Sequence, residues 1–331
     1  MRILFNLINC GLGNNGGSST IIHSANTLIE MGNNVKIIDS MKNMFTWFPL
    51  KADHVILRDL DDCPDADVVI ATGYKTVEST LRLPKRCGIK AHWIRAWEHW
   101  QMPDDQIFAR VLNVPTIKLV NSLCLQRKLE QYQISSHIVR PGYDFGKLYP
   151  LHIRNYRDKQ IIIGALYREG VHGQRKRTQW VLDAAKQLYM TKKIKLWMFG
   201  SEPRPNLPFL DNYLRSPSYQ QKNEFYNKVH LWIAPTTSEG LHLPPAEAMM
   251  TECTVIGTDA QMSGMQDYLI DGMTGKVSGN SFMSFFHAIK EMINRPDLMQ
   301  RLGKNGRLKI IELGDRKTNM HLMINYLKSL I

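Results

Sequence analysis

Short apolar runs alternate along this chain with longer stretches in which apolar residues return every three or four positions. RILFNLI is followed by a glycine-rich loop, then by STIIHSANTLIEMG with a helical period ending at Gly32, then by NVKIIDS. DVVIATG, IKAHWIRAW and PTIKLVNS repeat the strand pattern, SLCLQRKLEQY the helical one, and SHIVRPG closes the series. Prolines and charges then replace the periodicity in HIVRPGYDFGKLYPLHIRNYRDK, which reads as a domain boundary. The second half restarts with QIIIGALY, KIKLWMFGS, LWIAPT and CTVIGT as strands, and RTQWVLDAAKQLYM, QQKNEFYNKVH and PPAEAMMT as helices. The stretch from NSFMSFFHAIKEMINR to MHLMINYLKSLI reads as a run of helices. Short apolar strands spaced by helices predict parallel sheets covered on both faces. The expected fold class is α/β, with two doubly wound Rossmann-like domains over residues 1–147 and 148–331. Such sheets bind ligands at the carboxyl ends of their strands, so the cleft between the domains is the expected site.

Composition adds limits. The chain has 331 residues, 44% hydrophobic and 22% charged, which suits two folded cores and argues against long disorder. No run approaches the roughly 18 apolar residues that cross a bilayer, and the first residues lack a signal-peptide layout, so a cytoplasmic protein is expected. Cys10, Cys63, Cys87, Cys124 and Cys253 are scattered and form no C-x-x-C pair, as for reduced core thiols. The net charge is +12. Residues 1–150 hold 17 Lys and Arg against 14 Asp and Glu, a net of +3, whereas the rest hold 25 against 16, a net of +9. An anionic partner is therefore expected mainly in the second half.

Gly11, Gly13 and Gly16 spell G-x-G-x-x-G after the first strand, and Asp39 closes the second. This dinucleotide pattern makes an NAD-dependent oxidoreductase one alternative. The helix is expected to begin near Ser18 or Ser19, which leaves a loop longer than that pattern needs. Gly16 and Gly17 would instead let backbone N–H groups approach a phosphate or sugar.

In the second half, TTSEGLHLPPAEAMM holds Glu239 and Glu247 eight positions apart. Gly240, Pro244 and Pro245 prevent a continuous helix between them. The prolines suit the first turn of a new helix, which is expected to include Glu247. The loop Gly240, Leu241, His242 and Leu243 would present backbone N–H groups to an anion, with one acid for a sugar and the other for vicinal hydroxyls. A nucleoside diphosphate sugar matches all three features. A glycoside hydrolase with paired carboxylates is a further alternative.

EGLHLPPAEAM resembles the E-x7-E element of the retaining glycosyltransferases of family four, whose fold is GT-B. HIVRPGYDFGKLYP resembles that family's interdomain segment, DYLIDGMTGKVSG its D-G-x-T-G stretch, and GALYREGVHGQRKRTQWVLDAA the first strand, loop and helix of its donor domain. The resemblance implies that Glu239 lies by the donor sugar, that Glu247 binds the ribose, and that Lys176 with an arginine holds the diphosphate. The family's arginine follows the strand glycine, where this chain has Ala165; Arg168 is the nearest replacement, with Arg175 and Arg177 as alternatives. Glu252 stands where the family commonly has glycine. Fixed positive groups around the leaving diphosphate would supply most of the acceleration. The implied reaction is a retaining hexosyl or pentosyl transfer that needs no metal and no permanently bound cofactor, the nucleoside diphosphate sugar serving as co-substrate.

The acceptor is expected to meet the first domain. The stretch from His92 to Trp100 ends a strand and is dense in aromatic and ionisable groups. Family members carry Q-x-x-E or His-containing elements there, which makes Glu98 the closest match, with Arg95 and His99 beside it. Lipid-linked or glycan acceptors come first and a modified base in DNA second; the basic charge would suit the inner membrane face or DNA. Asp59-Leu60-Asp61 and Asp65-Ala66-Asp67 match the metal-binding D-x-D pattern of another fold, yet lie in a polar turn and are read as solvated.

Overall fold

A computed structural model describes residues 1–99, 102–152, 154–157, 160–191 and 194–331. The chain divides into two compact units, Met1–Gly142 with Asp315–Ile331, and Tyr143–Gly314.

The first unit contains β1 (Arg2–Asn6), β2 (Asn34–Asp39), β3 (Asp53–Ile56), β4 (Val68–Ala71), β5 (Ile89–Ile94), β6 (Ile117–Val120) and β7 (His137–Ile138). All pair in parallel, in the order β3-β2-β1-β4-β5-β6-β7. The central strands carry continuous apolar runs because both faces are covered: Ile3, Leu4 and Phe5 of β1 and all of β4 are buried. Helices α1 (Gly16–Glu30), α2 (Val77–Arg82), α3 (Asp104–Ile107) and α4 (Leu123–Glu130) connect them. Helix α1 starts before Ser18 because Asn15 caps it, its side chain accepting the Ser18 N–H at 2.9 Å. Gly16 and Gly17 thus form its first turn.

The second unit contains α5 (Gly170–Lys176), α6 (Thr178–Tyr189), α7 (Tyr219–Lys228), α8 (Leu243–Met250), α9 (Phe282–Ile293) and α10 (Pro296–Glu312). Its strands are β8 (Ile161–Leu166), β9 (Ile194–Gly200), β10 (Leu210–Arg215), β11 (Leu231–Ala234), β12 (Ser238–Glu239), β13 (Thr254–Thr258), β14 (Met262–Ser263) and β15 (Lys276–Ser278). The main sheet is again parallel, in the order β10-β9-β8-β11-β13-β15, while β12 and β14 pair separately. In both units the order reverses beside the first strand, the doubly wound arrangement that the apolar pattern predicts.

Helix α11 (Arg316–Lys328) returns to the first unit. Met320, Met323, Ile324 and Leu327 form one apolar stripe and join Ile21, Ile22, Ala25 and Leu28 of α1 in a single core. The sequence reading carried the second domain to residue 331; the compact second unit closes at Gly314.

Glu252 also finds its explanation here. It lies just past α8 in the left-handed conformation, φ 63°, where glycine is easiest. The Glu252 and Cys253 N–H groups close the helix on the Met249 and Ala248 carbonyls, and the Tyr156 hydroxyl donates to the Glu252 carbonyl at 2.7 Å. Among the described residues no helix is long and apolar enough to cross a membrane.

Candidate active site

Four segments converge around Glu239. The two-residue strand β12 pairs Ser238 with Met262 and Glu239 with Ser263, which fixes the acid just beyond β11. Gly264 follows, and a Cβ there would lie 1.8 Å from the Gly240 carbonyl oxygen; only glycine allows the two loops to approach so closely. The Tyr268 hydroxyl donates to the His242 carbonyl at 2.7 Å and pins the far end of the loop.

The fourth segment is the end of α5. Its last turn leaves carbonyls without helical partners. The Arg175 carbonyl instead accepts the Thr237 N–H at 2.9 Å and both the Thr236 and Thr237 hydroxyls. Arg177 then takes the left-handed conformation, φ 50°, so that α6 can start in a new direction. Lys176 is thereby placed with Nζ 2.5 Å from Glu239 Oε1, and Arg175 with a guanidinium nitrogen 3.7 Å from the same oxygen.

Burial alone would raise the Glu239 carboxyl. The adjacent Lys176, followed by His242 and Arg175, outweighs that effect and holds it at about 2. Burial lowers the His172 imidazole too, and the positive field of Arg175, Arg168 and Lys176 pushes the same way. The end of α5 is therefore electropositive and faces an ionised carboxylate.

Of the arginines left open by the sequence, Arg175 stands beside Glu239. Arg168 is ion-paired to Glu202 at 2.9 Å and donates to the Ser201 hydroxyl at 2.9 Å. Arg177 donates to Asn280 and lies 4.1 Å above the Trp180 ring. Leu241 is buried, and His242 caps α8 in the left-handed conformation, φ 58°. Leu243 is the first residue of α8 and Pro244 the second. Glu247 consequently lies in the second turn, one step later than the proline pattern predicts. Its carboxylate accepts from Lys222 Nζ at 2.8 Å and from the Tyr226 hydroxyl at 3.0 Å. Sequence reasoning missed these two partners, although Lys222 and Tyr226 are four apart on α7 and so share a face.

In the first unit, Arg95 supports its neighbours: its guanidinium donates to the Gly17 and Thr72 carbonyls, both at 2.6 Å. Glu98 accepts the Tyr74 N–H at 3.1 Å, and burial raises its carboxyl against the pull of that bond and of Arg95 and Lys75. His99 is exposed, with Nδ1 3.2 Å from the Trp97 carbonyl. Trp100 lies outside the described residues. Asp39 is fully buried, accepting the Ser40 N–H at 2.7 Å and facing His54, so its carboxylate is taken up inside the unit. Asp59 caps a turn, Asp65 pairs with Arg86 and Asp67 with Arg2.

Residues 159–295 match the family Glycosyl transferases group 1. A capsular polysaccharide biosynthesis glycosyltransferase, CapM of Staphylococcus aureus, is 25% identical over 158 residues, or 47% of this chain. That match spans 34% of the relative's length, about a third. Sucrose-phosphate synthase from Thermosynechococcus elongatus superposes with a TM-score of 0.76 at 15% identity, covering 100% of this chain and 99% of that one. Alr3699/HepE of Anabaena, solved with UDP and glucose, gives 0.75 at 11% identity, covering 99% and 100%. At these identities the structural likeness speaks for the fold. The match to the group 1 glycosyl transferases thus lies within the second unit, and the chain as a whole has the GT-B fold.

Proposed function

We propose that this protein is a retaining glycosyltransferase that moves a hexosyl or pentosyl group from a nucleoside diphosphate sugar to a glycan or lipid-linked acceptor. The observation that carries this reading is the largely buried Glu239 carboxylate, with Lys176 Nζ 2.5 Å and an Arg175 guanidinium nitrogen 3.7 Å from the same oxygen. Breaking the anomeric C–O bond sends an electron pair to the diphosphate and leaves a cationic sugar carbon. Lys176 and Arg175 are suited to the growing negative charge, and Glu239 to the positive one. The acceptor oxygen would bond to that carbon on the face that the diphosphate leaves, its proton passing to a leaving phosphate oxygen. Glu247 keeps lone pairs beyond those used by Lys222 and Tyr226, which suits it to ribose hydroxyls. Arg168 could join the diphosphate only by leaving Glu202.

The group 1 domain supports transfer chemistry, the UDP and glucose bound by Alr3699/HepE support a hexose on a uridine nucleotide, and the role of CapM in polysaccharide synthesis supports a glycan acceptor. Gly16 and Gly17 at the start of α1 are assigned to the donor, and Arg95, Glu98 and His99 to the acceptor side.

The test is a panel of nucleoside diphosphate sugars followed by thermal shift and by release of nucleotide. E239Q and K176A should each lower transfer at least about 100-fold with secondary structure retained; wild-type turnover by either variant sinks the assignment. Activity should persist in EDTA, and strict loss restored by Mn²⁺ would contradict the metal-free mechanism.

A further inference from the structure

His242 is in a conformation that its residue type does not favour. Its φ of 58° and ψ of 71° belong to the left-handed region, which costs any residue with a Cβ and costs glycine nothing. The backbone role at this position, an N–H at the entrance to α8, would be filled as well by glycine. The imidazole is nevertheless folded inward: His242 is 7% exposed, and its Nδ1 is buried with no hydrogen-bond partner among the described residues. Orphaned buried nitrogens are rare because the lost water bond is not replaced. A strained backbone and an unsatisfied ring nitrogen together, beside the reacting acid, point to a partner that arrives with the substrate.

The charges around the ring define that partner. Burial pushes the imidazole down to about 3, Lys176 and Arg175 add to this, and Glu239 opposes them only in part. His242 is therefore neutral at ordinary pH and adds no charge for a phosphate, a task for which Lys176 and Arg175 are already placed. A neutral imidazole offers one donor and one acceptor, which is the complement of a hydroxyl group. We propose that the His242 side chain hydrogen-bonds a hydroxyl of the donor sugar and so helps to decide which sugar this enzyme accepts.

The proposal rests on the donor-site reading above and adds a specificity role for one side chain. It is tested by isothermal titration of UDP, UDP-glucose, UDP-galactose, UDP-N-acetylglucosamine and UDP-xylose against wild type, H242G and H242N. Glycine and asparagine both accept the left-handed backbone, so either variant keeps the loop. Wild type should favour one sugar over the others by about tenfold, the scale of one hydrogen bond. Both variants should flatten that preference while binding UDP itself within about twofold of wild type. Variants that rank the sugars as wild type does overturn the proposal, as does a wild type that does not distinguish them. Variants that lose UDP as strongly as the sugars would show a purely structural role, and this also overturns it. If wild type binds neither UDP nor any of the UDP-sugars, the donor-site reading itself fails, which is a different result.

Discussion

The Lys176–Glu239 pair should reveal itself in stability as well as in catalysis. Both side chains are largely buried, 14% and 13% exposed, with the charged atoms 2.5 Å apart. In Lys176→Met the nearest cation left to Glu239 is Arg175, at 3.7 Å. Breaking a buried pair by removing one partner costs about 3–5 kcal/mol, because the other charge stays desolvated. For a unit of this size that corresponds to a fall in Tm of roughly 6–20 °C. The double variant K176M/E239Q removes both charges and should recover about 2 kcal/mol or more of the loss.

The pH dependence carries a second signature. In wild type the Glu239 carboxyl lies at about 2, below its ordinary value of 4.5. Its contribution is full above about 4.5 and is lost as the pH falls towards 2. In K176M burial takes over and the carboxyl rises above its ordinary range, so acid neutralises the stranded charge. The stability gap between wild type and K176M should therefore close between pH 7 and pH 4. Calorimetry of the four proteins in this cycle measures both effects. Single-variant costs that add to within about 0.5 kcal/mol, or a gap independent of pH, would refute the account of Glu239 as a charge held by Lys176.

Arg175→Ala should lower kcat/KM for transfer by about 100-fold or more and Arg168→Ala by less than tenfold; the reverse ranking would return the diphosphate to Arg168. Gly264→Ala forces a Cβ onto the Gly240 carbonyl, 1.8 Å away, and should displace the loop that begins at Glu239. A loss of at least tenfold in turnover is expected, and wild-type rates would show that the loop is not held there. His92, within β5, is fully buried, neither ring nitrogen has a partner among the described residues, and burial, with Lys118 and Arg95 nearby, pushes it down to about 3. Because the unfolded chain takes up that proton near pH 6.5, wild type should lose about 1.4 kcal/mol per pH unit below that point relative to His92→Phe. Parallel Tm profiles for the two proteins between pH 7 and pH 5 would contradict it.

The central strands were legible because a strand covered on both faces must be continuously apolar, as in Val68–Ala71. β3, β10 and β15 were missed, and each is the edge of its sheet, with exposed acids such as Asp53 and Asp211 interrupting the apolar run. The short helix α5 was also missed, and with it the reason why Arg175, not Arg168, reaches Glu239. That placement depends on Thr236 and Thr237 holding a carbonyl across the chain, a long-range bond with no periodic trace. The family motif marked Glu239, Lys176 and Glu247 as candidates, of which the structure pairs Lys176 with Glu239, but it showed His242 as a loop position only. The inward turn of its ring follows from the backbone angle, which no spacing encodes.

The return of α11 to the first unit has a consequence for synthesis on the ribosome. Domains generally fold in the order in which they emerge. Here Met320, Met323, Ile324 and Leu327 complete a core begun by Ile21 and Leu28, so the first unit is finished only after the second. The second unit has all its own residues once Gly314 has left the tunnel. Until the last helix follows, the exposed side of α1 is a surface that a chaperone or a wrong partner could occupy. A chain released after Gly314 should show a protected second unit and rapid proteolysis of the first.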